Sequence, residues 1–538
     1  MAPLRYALVS RRVVRPDEAA AAPAAGCFAA APCCEAVPLS PLDAFPFVRG
    51  MSVTMAYVYR SGLDADSLAA SLRGALQRFP VVAGRLHRVA RPATHPLRAQ
   101  LEVALCGGGV TFDVLDCDGS VSDFDPYDDW AVAGLHTCPR AVRRPAKVCP
   151  AIAPYDELLA GAPLARFRLT RLRCGGCVLG ASFAHVLGDA ASGLAFAEAW
   201  AAEHAALAAG APAAAPRFGA PIFDRRVLLA ATEPPPPEAL PPSTAAHTAA
   251  TRVRLAALAA RVSLRRLAGR GIKALYDSVR SPATYYVLLP AADVAAARAA
   301  APGTSANDVA LGLGWALLRR VRARGAAGDK AQPLLGAGTA ADGAEHLLMQ
   351  TADLRRYLPG LPASYFGNAC WGALLSVPPG ADARSPLALA RACRARMTEF
   401  TDSAALFEQM APLMRPDAGS SSTAAAASLA ALRLSCVPAF CDGVFTSVNF
   451  PPIWQVQFGA GLPVWTHHGI VPATPWGLAL LPSRPGTGAP GDLILCGTCP
   501  RAALPAVKAA ADAALVQLRA EAAAATAPPP PAEAPPAE

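Results

Sequence analysis

Ser182-Phe183-Ala184-His185-Val186-Leu187-Gly188-Asp189 places a histidine four residues before a carboxylate, in a Gly-containing turn. Upstream, Cys177 to Ala184 is an unbroken run of apolar and small residues of strand length; downstream, Leu194, Ala197 and Trp200 recur at the spacings of a helix face. The turn between them therefore presents its side chains at a strand end, where an imidazole is poised to act as a general base near neutral pH. The spacing is cheap by itself, because nine histidines and 40 acidic residues in 538 positions give about 0.7 such pairs by chance. Taken alone, the stretch reads more simply as a packed histidine followed by an Asp189 that caps the next helix.

Outward from this turn the alternation of strand and helix recurs. Val53 to Tyr59 reads as a strand, and Leu68, Leu72, Ala75, Leu76 and Phe79 as a helix face, capped by Asp64 or Asp66 and ended by Pro80. Val81 to Leu86 leads on towards another strand. Residues 205–250 lose all periodicity and fill with Ala and Pro, including Pro234 to Pro237, which marks a crossover linker between two halves. Beyond it, Tyr285 to Leu289 reads as a strand, Asn307 to Arg320 as an amphipathic helix and Tyr365 to Leu375 as a strand. Ala424 to Ala431 is low-complexity, and the Pro-rich tail, residues 522–538, is expected to be disordered.

The chain is 53% hydrophobic and 17% charged, which excludes general disorder and supplies core enough for two large domains. Its net charge of +9 comes from scattered arginines with few lysines, so nucleic-acid binding is not expected, while a mild positive field favours an anionic small substrate. Fifteen cysteines are too sparse for a disulfide scaffold, and no secretory signal precedes them. The uncharged stretch Ala19 to Cys34 is broken by Pro23 and Pro32 and mostly alanine except around them, so no membrane span is expected. A cytoplasmic location follows; organelle import stays open, because Arg5, Arg11, Arg12 and Arg15 resemble a transit peptide while Asp17 and Glu18 do not. Cys174-x-x-Cys177 and Cys496-x-x-Cys499 have local zinc spacing but lie far apart, each in or beside a strand where residues three apart face opposite ways, so no metal is expected. His467-His468 has no carboxylate or cysteine at ligand spacing.

Several segments, in order, resemble one family along nearly the whole chain. Leu39-Ser40-Pro41-Leu42-Asp43 is similar to the LSxLD opening of the BAHD acyltransferases, and Phe79-Pro80-Val81-Val82-Ala83-Gly84-Arg85-Leu86 to their FYPLAGRL segment. His185 to Asp189 matches HxxxD, Asp353-Leu354-Arg355 matches DxR, and Tyr365-Phe366-Gly367-Asn368 matches YFGN. Thr446-Ser447 stands ahead of Gln457-Phe458-Gly459-Ala460-Gly461, which occupies the place of DFGWG but lacks its acid and its tryptophan; Ala190 likewise replaces the glycine that usually follows HxxxD.

The resemblance implies an α/β fold of two similar-sized domains, with mixed sheets and flanking helices as in chloramphenicol acetyltransferase: residues 1–204, the crossover 205–250, and 251–521. It implies an active centre in a channel between them. It also implies an enzyme that moves an acyl group from an acyl-CoA co-substrate to a hydroxyl or amine, with no permanently bound cofactor, acting as a monomer. His185 would be the general base, Asp189 an orienting residue and Thr446 a candidate oxyanion donor. YFGN and the QFGAG segment (Gln457, Phe458, Gly459, Gly461) would be structural. Arg433, thirteen positions before Thr446, is similar to an arginine that holds the acceptor's carboxylate in the hydroxycinnamoyl-CoA:shikimate/quinate branch, a task suited to a bidentate guanidinium. An alcohol or polyamine acyltransferase using another acyl-CoA is the alternative within the class; a non-catalytic accessory protein on the same scaffold is the alternative outside it, motivated by Gln457 and Ala460.

Overall fold

The computed structural model describes residues 4–16, 35–90, 97, 100–124, 134–137, 148–215, 217, 219–233, 282–326, 346–377, 384–401, 406, 410, 414, 444–449, 451–468, 477–482, 491–500 and 503–526. The strands in chain order are β1 (Tyr6–Val14), β2 (Ala36–Pro38), β3 (Ser52–Tyr59), β4 (Arg85–Arg88), β5 (Leu101–Ala104), β6 (Val110–Cys117), β7 (Gly134–Thr137) and β8 (Ala165–Leu172). They continue with β9 (Cys177–Ala184), β10 (Pro282–Leu289), β11 (His346–Asp353), β12 (Cys370–Val377), β13 (Val444–Ser447), β14 (Trp465–His468), β15 (Gly477–Pro482) and β16 (Leu493–Pro500). A six-stranded mixed sheet runs β1-β6-β8-β9-β3-β14, a seven-stranded mixed sheet runs β12-β11-β13-β15-β16-β10-β7, and β2-β5-β4 form a small third sheet. Each large sheet thus ends in a strand from the other half of the chain: β14 pairs antiparallel with β3, and β7 with β10.

The all-apolar composition of β9 is explained by its place between β8 and β3, where every one of its residues is buried. Gly180 within it is required by close approach, since a Cβ there would lie 2.3 Å from the Val148 carbonyl oxygen. Helix α1 (Ala65–Arg78) is capped by Asp64, whose side chain accepts from the Ser67 N–H, and packs on α2 (Ala190–Ala209). In the second half α3 (Ala291–Ala300), α4 (Ala306–Ala326), α5 (Pro386–Thr401) and α6 (Leu504–Thr526) pack on one another. One core lies around the six-stranded sheet and takes in Tyr286, Trp454, Phe458, Trp465 and Ile494 from the second half; the other lies between the seven-stranded sheet and α3 to α6. Among the described residues no helix is long and apolar enough to cross a membrane.

Four local expectations are corrected. The strand expected over Tyr365 to Leu375 begins only at Cys370, because residues 365–367 spend their backbone carbonyls on two arginines rather than on a ladder. Val81 to Leu86 is split: Pro80–Ala83 is a 3-10 turn and β4 starts at Arg85. The crossover is partly ordered, since α2 runs to Ala209, Ile222 bridges Tyr365 and Arg226–Ala231 is a helix; residues 234–250 lie outside the described residues. The tail is helical to Thr526 with Ala522 buried, because its alanines continue the face that α6 packs inward; residues 527–538, like Ala424 to Ala431, lie outside the described residues.

Candidate active site

His185 stands in the turn after β9, half-buried, with its backbone N–H donating to the Met51 carbonyl at 3.0 Å. Its Nδ1 lies 2.9 Å from Asn368 Oδ1, while Asn368 Nδ2 donates to the His185 carbonyl at 2.8 Å and to Asp43 Oδ1 at 2.8 Å. Asp43 is fully buried. Its Oδ1 also accepts the Asn368 backbone N–H at 2.9 Å, and its Oδ2 accepts from the Ser40 N–H, the Ser40 hydroxyl and Arg225 Nε.

Asp189 faces a different way. Its Oδ1 caps α2 by accepting the Ser192 N–H at 3.0 Å, and both of its oxygens take the Arg355 guanidinium, at 2.9 and 3.1 Å. Oδ2 also accepts the Ala369 N–H at 2.9 Å. The capping reading and the motif reading of Asp189 are therefore the same geometry: the carboxylate starts a helix and anchors the second half of the chain to it.

Two buried arginines hold the 365–368 loop. Arg355 donates to the Tyr365 and Gly367 carbonyls, Arg225 to the carbonyls of Phe366 and Leu187, and the two guanidinium carbons lie 5.7 and 5.5 Å from the centroid of the Tyr365 ring. Ser192 closes the loop by donating to the Gly367 carbonyl and accepting its N–H, both at 3.0 Å. Gly367 cannot carry a side chain, since a Cβ would meet Arg225 at 2.8 Å. Phe366 packs edge-on to Phe79, with centroids 5.3 Å apart, and Phe223 adjoins both. The opening segment, HxxxD, DxR, the crossover and YFGN therefore converge on one turn. Composition and periodicity do not single out Asp43, Arg225, Ser192 or Arg355 as site residues; Asp43 and Arg355 each carry the charge within a quoted segment, which is the signal that could have marked them.

Burial pushes the His185 imidazole below its usual value, against the opposing pull of its own backbone, Asp189, Asn368 and Asp43. Burial alone would raise the Asp189 carboxyl, but Arg355 and the N–H groups of Ala369 and Ser192 outweigh it and hold it at about 2. Near pH 7 the site therefore presents a neutral imidazole beside an ionised, fully satisfied carboxylate.

Thr446 lies on β13, and its Oγ1 accepts from the Thr351 hydroxyl on β11 at 2.9 Å. It is paired with Ala479, which belongs to the first core, so Thr446 shares the sheet face that is turned towards the first half. The QFGAG segment is a surface turn: Gln457 is exposed, Gly459 and Gly461 have φ of 82° and 78°, and Phe458 packs on Trp200 at 4.9 Å between centroids. Arg433 lies outside the described residues. Cys496 enters the first core and Cys499 the second, as their spacing in a strand requires; Cys177 is buried and Cys174 exposed. His467 and His468 end β14.

Among curated proteins, rosmarinate synthase of Plectranthus scutellarioides is 31% identical over 171 residues, 32% of this chain and 33% of that protein. Putrescine hydroxycinnamoyltransferase 1 of Oryza sativa subsp. japonica is 30% identical over 191 residues, 33% of this chain and 37% of that protein. The chain thus spans about a third of the length of these curated relatives. Among solved structures, vinorine synthase superposes with a TM-score of 0.58 at 15% identity, covering 93% of this chain and 96% of its own. F. sporotrichioides TRI101, complexed with coenzyme A and T-2, superposes with a TM-score of 0.53 at 13% identity, covering 88% and 97%. These likenesses establish the two-domain α/β fold. The model of the Transferase family matches residues 29–513, from before Asp43 to beyond the QFGAG turn, so the chain belongs to that family, the BAHD acyltransferases its motifs resemble.

Proposed function

We propose that the protein is an acyl-CoA-dependent acyltransferase with His185 as its general base, built from two domains divided by the crossover at 205–250. The carrying observation is a neutral, half-buried imidazole at a strand end, held through Nδ1 by Asn368, in a chain whose family is established. The acceptor hydroxyl or amine attacks the thioester carbonyl while His185 takes its proton. The C–S bond of the tetrahedral adduct then breaks and the departing thiolate recovers the proton from the imidazolium, so the enzyme ends as it began. Thr446 would donate to the developing oxyanion, and Asp189 keeps the turn in place without entering the chemistry. Coenzyme A in the TRI101 complex and hydroxycinnamoyl transfer in a relative's name support acyl-CoA as donor, and a hydroxycinnamoyl group as the acyl moiety.

For the acceptor we favour a carboxylate-bearing alcohol of the shikimate or quinate kind, gripped by Arg433. Putrescine in a relative's name makes an amine acceptor the second reading. A monomer acting in the cytoplasm completes the proposal. The test is incubation of the purified protein with a panel of acyl-CoAs and acceptors, read as release of free thiol. His185→Ala should lose at least about 10²-fold in rate, and retention of more than a tenth of the wild-type rate removes His185 as the base. Arg433→Ala should cost roughly ten- to a hundredfold in kcat/KM for carboxylate-bearing acceptors, the loss of a charge-assisted contact of about 1.5 to 3 kcal/mol, while uncharged acceptors hold. Equal loss for all acceptors would leave the broader assignment standing without the shikimate or quinate one.

A further inference from the structure

We propose that Gly372 determines which substrates the site admits: its bare backbone is the floor on which a planar aryl group lies, bordered by Met349 and Thr351. This rests on the acyltransferase reading and deepens it, since the ring belongs either to the acyl group or to the acceptor.

Glycine weakens a strand, and it stands inside one for a short set of reasons: a bulge, another part of the protein pressed against it, or a ligand that approaches the backbone closely. Gly180 and Gly497 have reasons within the protein, because a Cβ would strike the Val148 carbonyl in the one and the Tyr285 ring in the other. Gly372 has none. The pairing of β11 with β12 runs without a break from Asp353 opposite Cys370 to His346 opposite Val377, which excludes a bulge. Its φ is not left-handed, so the conformation does not call for glycine either. Among the described residues a Cβ at 372 would meet only the tip of the Met349 side chain, with the sulfur at 3.2 Å, and no backbone at all. A closely approaching ligand is the reason that remains.

The place is right for a substrate. Trp371, Ala373 and Leu375 belong to the second core, so Gly372 opens on the other face of the sheet, the one turned towards the first half. Directly opposite it on β11 stands Thr351, whose hydroxyl donates to Thr446. Two residues back along β12, roughly 7 Å at the rise of a strand, the Cys370 thiol donates to Asp189 Oδ2 at 3.4 Å. Gly372 therefore lies one row of side chains from the catalytic turn. On the far side of Thr446 the same face is filled by the protein itself, since Ala479, Cys496 and Tyr286 pack into the first core.

The borders state what kind of group fits. A strand without a side chain offers a flat surface of peptide groups, and the buried Met349 thioether beside it is a favourable neighbour for the edge of an aromatic ring. A flat ring meets such a floor over its whole face, whereas a branched aliphatic group of the same size touches it at a few atoms.

The experiment is calorimetric titration of p-coumaroyl-CoA, acetyl-CoA, tyramine and putrescine, each separately, onto the wild type and Gly372→Val. Valine suits a strand, so the melting temperature of the variant should not fall. The variant should bind at least one aryl probe about 10- to 200-fold more weakly, while acetyl-CoA and putrescine stay within about threefold. Loss at p-coumaroyl-CoA alone assigns the floor to the acyl group, and loss at tyramine alone assigns it to the acceptor. Gly372→Ala, whose added carbon only nudges the flexible Met349 tip, should show the same ranking with a smaller loss, and carries the test if the valine variant does not fold. Unchanged binding of both aryl probes overturns the proposal, as does an equal loss of acetyl-CoA, which would give the glycine to the coenzyme. A wild type that binds acetyl-CoA but neither aryl probe also overturns it and leaves the acyltransferase reading standing. A wild type that binds no acyl-CoA removes that reading and this one with it.

Discussion

Arg355 and Asp189 form an ion pair whose side chains are 5% and 1% exposed, and Arg225 with Asp43 form a second at 1% and 0%. Removing one member strands a buried charge. Asp189→Ala is therefore expected to destabilise the fold by about 3 to 5 kcal/mol and to lose activity with it; denaturant unfolding beside thiol release checks both, and lost activity at unchanged stability would place Asp189 in the chemistry. The pH dependence follows from the two shifts. His185 sits below its unfolded value of 6.5, so between the two values the unfolded chain binds more protons, and stability falls as pH drops through that window. The same lowering places the acid limb of kcat/KM below 6.5; a limb at 7 or above would contradict it. Asp189, held at about 2 against an ordinary 3.8, adds stability that is complete above 3.8 and lost as pH falls towards 2. His185 and Asp189 were legible because the chain puts them side by side. The Nδ1 partner was not, because Asn368 is 183 residues away and only long-range folding brings it to the ring.

The QFGAG turn shows what an element keeps when its sequence drifts. Two left-handed glycines shape it and one phenylalanine anchors it to α2, whereas Gln457 points to solvent. Phe458→Ala should cost about 3 to 5 kcal/mol by opening a cavity against Trp200. Gln457→Asp should leave the melting temperature and the rate nearly unchanged; a large change in either would show that the missing acid mattered. Periodicity found β3, α1, β9, α2 and β10 because their apolar residues repeat at the element's own spacing. It misread Tyr365 to Phe366 as strand because those buried aromatics carry the pattern of one, while the backbone is claimed by Arg355 and Arg225.

Over the whole molecule, the resemblance foresaw two mixed sheets, and the composition gave no hint that they trade edges. At the C-terminus, removal of residues 527–538 should leave the melting temperature unchanged. Truncation from Leu518 should lower it clearly, since that cut removes buried Leu518 and Ala522 and the Glu521 carboxylate that accepts the Leu387 N–H at the start of α5. Calorimetry of the two truncations distinguishes the cases. The traded strands also bear on synthesis. As the chain leaves the ribosome, β3 has its partner β9 early but must wait for most of the remaining chain before β14 arrives to cover its other side. Through that interval the nascent first half carries a bare, hydrogen-bond-hungry edge, the kind that joins neighbouring chains into aggregates. Closing the six-stranded sheet at β3 is thus left to a strand some four hundred residues further along the chain.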